Sequence, residues 1–110
     1  MKVVRWDEGA RRFAPEKLQK IGLFASERFF VDLYCLEPGQ SQKAHAHAGS
    51  DKVYLVVEGS GRFEIGEESR TLQAGEAVMA AAGEVHGIEN DSDARLVVLT
   101  LMAPPPAASP

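Results

Sequence analysis

The sequence predicts a single all-β domain, a sandwich or closed barrel, and three observations carry that reading. β-Branched and aromatic residues gather in short runs, the runs stop at glycine or Pro-Gly turns at near-regular spacing, and only residues 15–20 look helical. Short strands punctuated in this way are the signature of sandwiches and barrels.

The expected elements follow in order. Residues 15–20 (Pro-Glu-Lys-Leu-Gln-Lys) place proline at the first position of a short helix. Residues 28–37 (Arg-Phe-Phe-Val-Asp-Leu-Tyr-Cys-Leu-Glu) form a strand that ends at the turn signal Pro38-Gly39. Residues 51–58 (Asp-Lys-Val-Tyr-Leu-Val-Val-Glu) form a second strong strand, closed by Gly59-Ser-Gly61. Residues 62–66 alternate polar and apolar and are expected to make a hairpin with that strand. Shorter strands are expected at 70–73, 77–81 and 86–90, and a long final one at 94–102. The tail 103–110 (Ala-Pro-Pro-Pro-Ala-Ala-Ser-Pro) is rich in proline, which has no N–H to offer a ladder, so it reads as an arm outside a domain spanning 1–102. There are no internal repeats.

A chain of 110 residues hides roughly 65% of its unfolded surface on folding, enough for a true core. Twelve basic against sixteen acidic residues give a net charge of −4, with no basic cluster along the sequence. Nucleic acid and anionic membrane are poor partners for such a chain. No apolar run approaches the ~20 residues of a membrane-spanning helix. The N-terminal Met-Lys-Val-Val-Arg-Trp-Asp-Glu carries charge too early for a signal peptide. The single Cys35 cannot form an internal disulfide and reads as a buried thiol in an apolar strand. A reducing cytoplasm fits these features. Trp6 and Phe13 are expected to cover the barrel or meet a second subunit.

All three histidines fall in two short segments. The first runs from Gly39 through His45 and His47 to Gly59, and the second from Gly75 through Gly83 and His86 to Asn90. Side chains two apart on a strand point the same way, so His45 and His47 can present both imidazoles to one point. A third imidazole from a neighbouring strand completes a facial set, which leaves metal positions open to chemistry.

These segments resemble the two motifs of the cupin superfamily. In the first motif Gly, His-x-His and a closing Gly fall on Gly39, His45, His47 and Gly59; in the second Gly, Gly, His and Asn fall on Gly75, Gly83, His86 and Asn90. Motif one covers 39–59 and motif two 75–90, so motifs and spacer take up about half the chain. The resemblance implies a cupin-type jelly-roll β-barrel (a double-stranded β-helix) of six to eight strands. It further implies one interior metal site on His45, His47 and His86, and a homodimer. It does not imply an activity, because the fold hosts dioxygenases, isomerases, decarboxylases and binding domains alike.

The chain departs from the motifs twice. Lys52 stands where the family has a glutamate ligand, and an ammonium repels a divalent cation. Asp51 next to it carries a carboxylate, yet it faces the other side of the strand unless a bulge shifts the register. Ala81 stands where the motif has proline.

The bland reading of Lys52 is a side chain that snorkels to the barrel mouth and pairs with Asp51 or Glu58. The functional reading is an ammonium at the cavity that receives a carboxylate or phosphate. Tyr54, and Tyr34 beside it, can line the same cavity or simply pack. The expectation is therefore a divalent metal cofactor of unspecified identity (Zn, Ni, Fe or Mn), since imidazoles suit several metals. The expected substrate is a small polar or anionic molecule met by Lys52 and Tyr54. An enzyme of three-His dioxygenase or isomerase type and a non-catalytic metabolite- or metal-binding module both remain open. No catalytic base is placed by sequence, although Glu58, Glu89 and Asp51 are available.

Overall fold

The structure is a computed structural model and describes residues 1–106. Among the described residues nine strands follow a short 3-10 turn at Glu8–Ala10: β1 (Gln19–Ala25), β2 (Phe30–Leu36), β3 (Ser41–His45), β4 (Asp51–Glu58), β5 (Ser60–Ile65), β6 (Glu68–Gln73), β7 (Ala77–Ala80), β8 (His86–Glu89) and β9 (Leu96–Ala103). They form two facing sheets, one of five strands in the order β1-β2-β9-β4-β7 and one of four in the order β3-β8-β5-β6. Every pairing is antiparallel. This is the jelly-roll barrel that the motifs imply.

Period-two alternation sorts the side chains. Tyr34, Leu36, Tyr54, Val56, Phe63, Leu72, Ile88, Leu96 and Val98 fill the space between the sheets. The opposite face of the five-stranded sheet is also apolar. Val4, Ala10 and Phe13 of the N-terminal segment pack over Leu23, Leu33, Cys35 and Val97 there. Phe13 thus covers the barrel, and Cys35 is buried with its thiol pushed above the usual range by desolvation. Among the described residues no helix is long and apolar enough to cross a membrane.

Several local expectations are corrected. Residues 15–20 form no helix. Leu18 packs against the inter-sheet core, and Gln19 and Lys20 pair with Cys35 and Tyr34 to open β1. A six-residue helix has too few internal bonds to compete with a sheet edge. β1 itself was not legible, because Gly22 interrupts its pattern and a register shift follows between Gly22 and Phe24. The expected hairpin of 51–58 with 62–66 is absent: β4 pairs with β7 and β9, and β5 with β6 and β8. Gly59 is the reason. It holds a positive φ of 80° where a Cβ would collide with the Arg95 carbonyl, and the chain turns there from one sheet into the other. Ala103, placed in the tail by sequence, ends β9 opposite Asp51. Pro104 to Pro106 border the loop that carries His47, and residues 107–110 lie outside the described residues.

Candidate metal centre

β3 and β8 bring two of the imidazoles together as cross-strand partners, His45 opposite His86. Simple alternation from the inward-facing Gln42 would turn His45 outward. The register, however, advances three residues in β3 (Gln42 to His45) against two in β8 (Ile88 to His86). This bulge re-aims His45 to the inner face. Gly87 permits it: a Cβ there would lie 2.9 Å from the Ala44 Cα and 3.0 Å from the Gln42 carbonyl oxygen. His47 lies just past the end of β3 rather than on a strand, so loop geometry and not alternation places it.

The three rings converge, with centroids 4.5 Å apart for His45 and His86, 4.8 Å for His45 and His47, and 5.5 Å for His47 and His86. One nitrogen from each lies within 4.8 Å of the others, so the three side chains can hold a metal ion. Imidazoles sharing a metal at about 2.1 Å have nitrogens roughly 3–3.5 Å apart, so binding would draw the rings slightly inward.

The hydrogen bonds fix the tautomers. The Nδ1 of His45 lies 2.8 Å from the Lys43 carbonyl, and the Nδ1 of His86 lies 3.0 Å from the Glu84 carbonyl. A carbonyl only accepts, so both Nδ1 atoms carry a proton, and in the neutral ring that leaves Nε2 as the acceptor. The Nε2 of His86 is buried and has no hydrogen-bond partner among the described residues. An orphaned buried acceptor facing two further imidazoles is the donor set a metal requires. Burial, with smaller contributions from neighbouring cations, holds His86 and His47 below the usual imidazole range and so in the neutral form that ligates.

Lys52 does not snorkel. It is 2% exposed, its Nζ donates to the Tyr34 hydroxyl at 2.9 Å, and it lies over the rings of Tyr34 and Tyr54 at 5.1 and 5.0 Å. Neither proposed carboxylate partner reaches it. Asp51 is exposed and accepts from the Ala82 amide at 2.9 Å, while Glu58 pairs with Arg11. With no bulge at its own position, Asp51 faces away and does not replace the missing glutamate. Desolvation, aided by the Lys20 charge, lowers the Lys52 pKa to about 8.

The other polar groups form one chain. Gln42 donates to the Tyr34 hydroxyl at 3.3 Å and accepts from the Tyr54 hydroxyl at 3.1 Å. Burial raises the pKa of both tyrosines, so each keeps its proton. Gln42 and Asp32 are the site residues that sequence reasoning missed. Asp32 precedes Tyr34 and Leu36 by period two and so shares their inner face. Burial raises its carboxyl, against the opposing charges of Lys20 and Lys52. A lone acid inside an otherwise apolar strand was the available signal. The substitution at Ala81 has a local consequence too: its N–H, which proline would lack, donates to the Glu84 carboxylate at 2.9 Å and braces the turn before His86. Asn90 holds the other end of the motif, donating to the carbonyls of Leu36 and Ala94.

A two-sheet jelly roll with an inward trio of imidazoles defines a class of small barrels built around one interior site. The chain belongs to the cupin domain family, whose profile matches residues 32–102. It is 33% identical over 107 residues to the uncharacterised protein SCO3923 of Streptomyces coelicolor, covering 96% of this chain and 98% of that one. It is 36% identical over 69 residues to the tetracenomycin polyketide synthase protein TcmJ of Streptomyces glaucescens, covering 63% of this chain and 46% of that protein. The crystal structure of TT1209 from Thermus thermophilus superposes with a TM-score of 0.91 at 44% identity, over 94% of this chain and 98% of the other.

Proposed function

We propose that this cupin is a metalloprotein, working as a homodimer, that acts on a small polar or anionic metabolite inside its barrel, as an enzyme of the three-His dioxygenase or isomerase kind. The observation that carries the reading is the buried, partnerless Nε2 of His86 beside His45 and His47. In this reading the three histidines hold a divalent metal (Zn, Ni, Fe or Mn). Three neutral ligands leave such a metal its full charge, and it supplies Lewis-acid chemistry to a bound oxygen atom. Lys52, fixed by the Tyr34 hydroxyl, receives the negative group of the substrate, and Tyr54 closes the wall between Lys52 and His86. The likeness to a polyketide synthase protein supports an enzymatic role. The second reading is a non-catalytic module that retains its ligand. It is favoured by the narrow interior, where Lys52, Tyr34 and Tyr54 are all nearly fully covered.

Elemental analysis of protein grown without metal supplementation tests the proposal. About one metal per chain is expected in the wild type and none in His86→Ala. A wild type that takes up no metal even on reconstitution refutes it. Oxygen consumption with a panel of small carboxylates and thiols then separates the enzyme from the module.

A further inference from the structure

Lys52 is a buried cation one aromatic ring away from the candidate metal centre. Among the described residues none of the salt bridges involves it. Its Nζ lies 5.0 Å from the centre of the Tyr54 ring, which in turn lies 6.1 Å from the ring of His86. A divalent metal on three neutral imidazoles and an ammonium one aromatic ring away would repel one another in a medium that screens poorly. Asp32 offsets this in part from the inner face, half-buried and shared between Lys20 and Lys52.

The surface outside repeats the sign. A groove of about 590 Å³ between β1 and β3 is lined by Lys17, Lys20, Lys43 and Gln42. Gln42 bonds the same Tyr34 hydroxyl that holds Lys52. Lysines scattered in the sequence of an acidic chain thus gather beside Gln42, which reaches from the groove to the interior, and Lys20 lies 5.2 Å from the centre of the Tyr34 ring. Such a lining favours the approach of anions.

We infer that metal and a small carboxylate anion bind this barrel as a coupled pair, the anion at the metal on the imidazole side of the Tyr54 ring, offsetting the Lys52 charge behind that ring and supplying the negative charge that a glutamate ligand would have given. The inference rests on the metal reading above and adds to it a requirement: metal affinity depends on the anion, and the anion's on the metal by the same factor.

Zinc titration by calorimetry, in a buffer of non-coordinating anions with and without saturating formate, tests it on the wild type, Lys52→Met and Lys52→Glu. Formate should tighten zinc binding to the wild type by at least about tenfold. Lys52→Met should bind zinc more tightly than the wild type without formate and gain less than about threefold from it. Lys52→Glu should bind zinc tightly and gain nothing. Wild-type zinc affinity that formate leaves unchanged overturns the coupling while the metal reading stands. A wild type that binds no zinc in either buffer overturns both. The wild-type comparison decides alone should a variant fail to fold.

Discussion

Lys52 shows what a single residue costs its own fold. A buried ammonium loses its hydration, and one tyrosine hydroxyl and two aromatic faces replace it only in part. Its pKa falls to about 8 from an ordinary 10.5. Between those values the unfolded chain holds a proton that the folded chain has released, so stability rises with pH across the window. Below about pH 8 the full cost is present, on the order of 3 kcal/mol. In the metal-free protein Lys52→Met should therefore be more stable than the wild type at pH 7, and the advantage should shrink by pH 10. Urea unfolding of both proteins at the two pH values measures this. Using the difference between them removes the ionisation of Tyr34 and Tyr54, which both proteins share. An advantage that does not change with pH would mean that Lys52 is not titrating in that window.

At the scale of elements, the site depends on the β3 bulge and on the glycine that accommodates it. Gly87 has no left-handed backbone; it is required because Ala44 and Gln42 press against it. Gly87→Ala would set a methyl against three backbone atoms of β3, which cannot rotate away as a side chain would. We expect a stability loss of about 1–3 kcal/mol, as for an overpacked core. Metal uptake should weaken as well, because pushing β3 off β8 separates His45 from His86. Urea melts with metal titration check both effects; a variant with wild-type values would show that β3 has room to yield. The same bulge explains why the motif spacing was readable and its geometry was not. His-x-His looks like strand alternation, yet His45 faces inward through a register shift and His47 lies beyond the strand.

On the scale of the whole molecule, the outer face of the five-stranded sheet is unfinished. The N-terminal segment covers the β1-β2-β9 part. On the β4-β7 side Leu55 and Met79 remain exposed at 38% and 57%, and Trp6 stands beside Leu55 at 48%. A groove of about 330 Å³ lined by Trp6, Leu55, Ala77 and Leu99 runs across this surface. An apolar patch of this kind suits a self-complementary two-fold contact. Light scattering at low micromolar concentration should give twice the 11.9 kDa chain mass, and Leu55→Lys with Met79→Lys should return the monomer. A monomeric wild type would count against the homodimer.

The β-class, most of the strands, the two motifs and the three histidines are legible in the residues alone, because each is written in local spacing: alternation, turn residues and fixed gaps between histidines. The rest depends on contacts between distant strands. Whether residues 15–20 coil or pair depends on a free sheet edge at β2, and whether β4 and β5 form a hairpin depends on the Arg95 carbonyl against Gly59. The environment of Lys52 was likewise beyond reach. Its neighbour Asp51 and the nearby Glu58 looked available in sequence, but Tyr34 from β2, eighteen residues away, holds it across the barrel. Burial and partners belong to contacts between strands distant in the chain, and those contacts set the charge of this site.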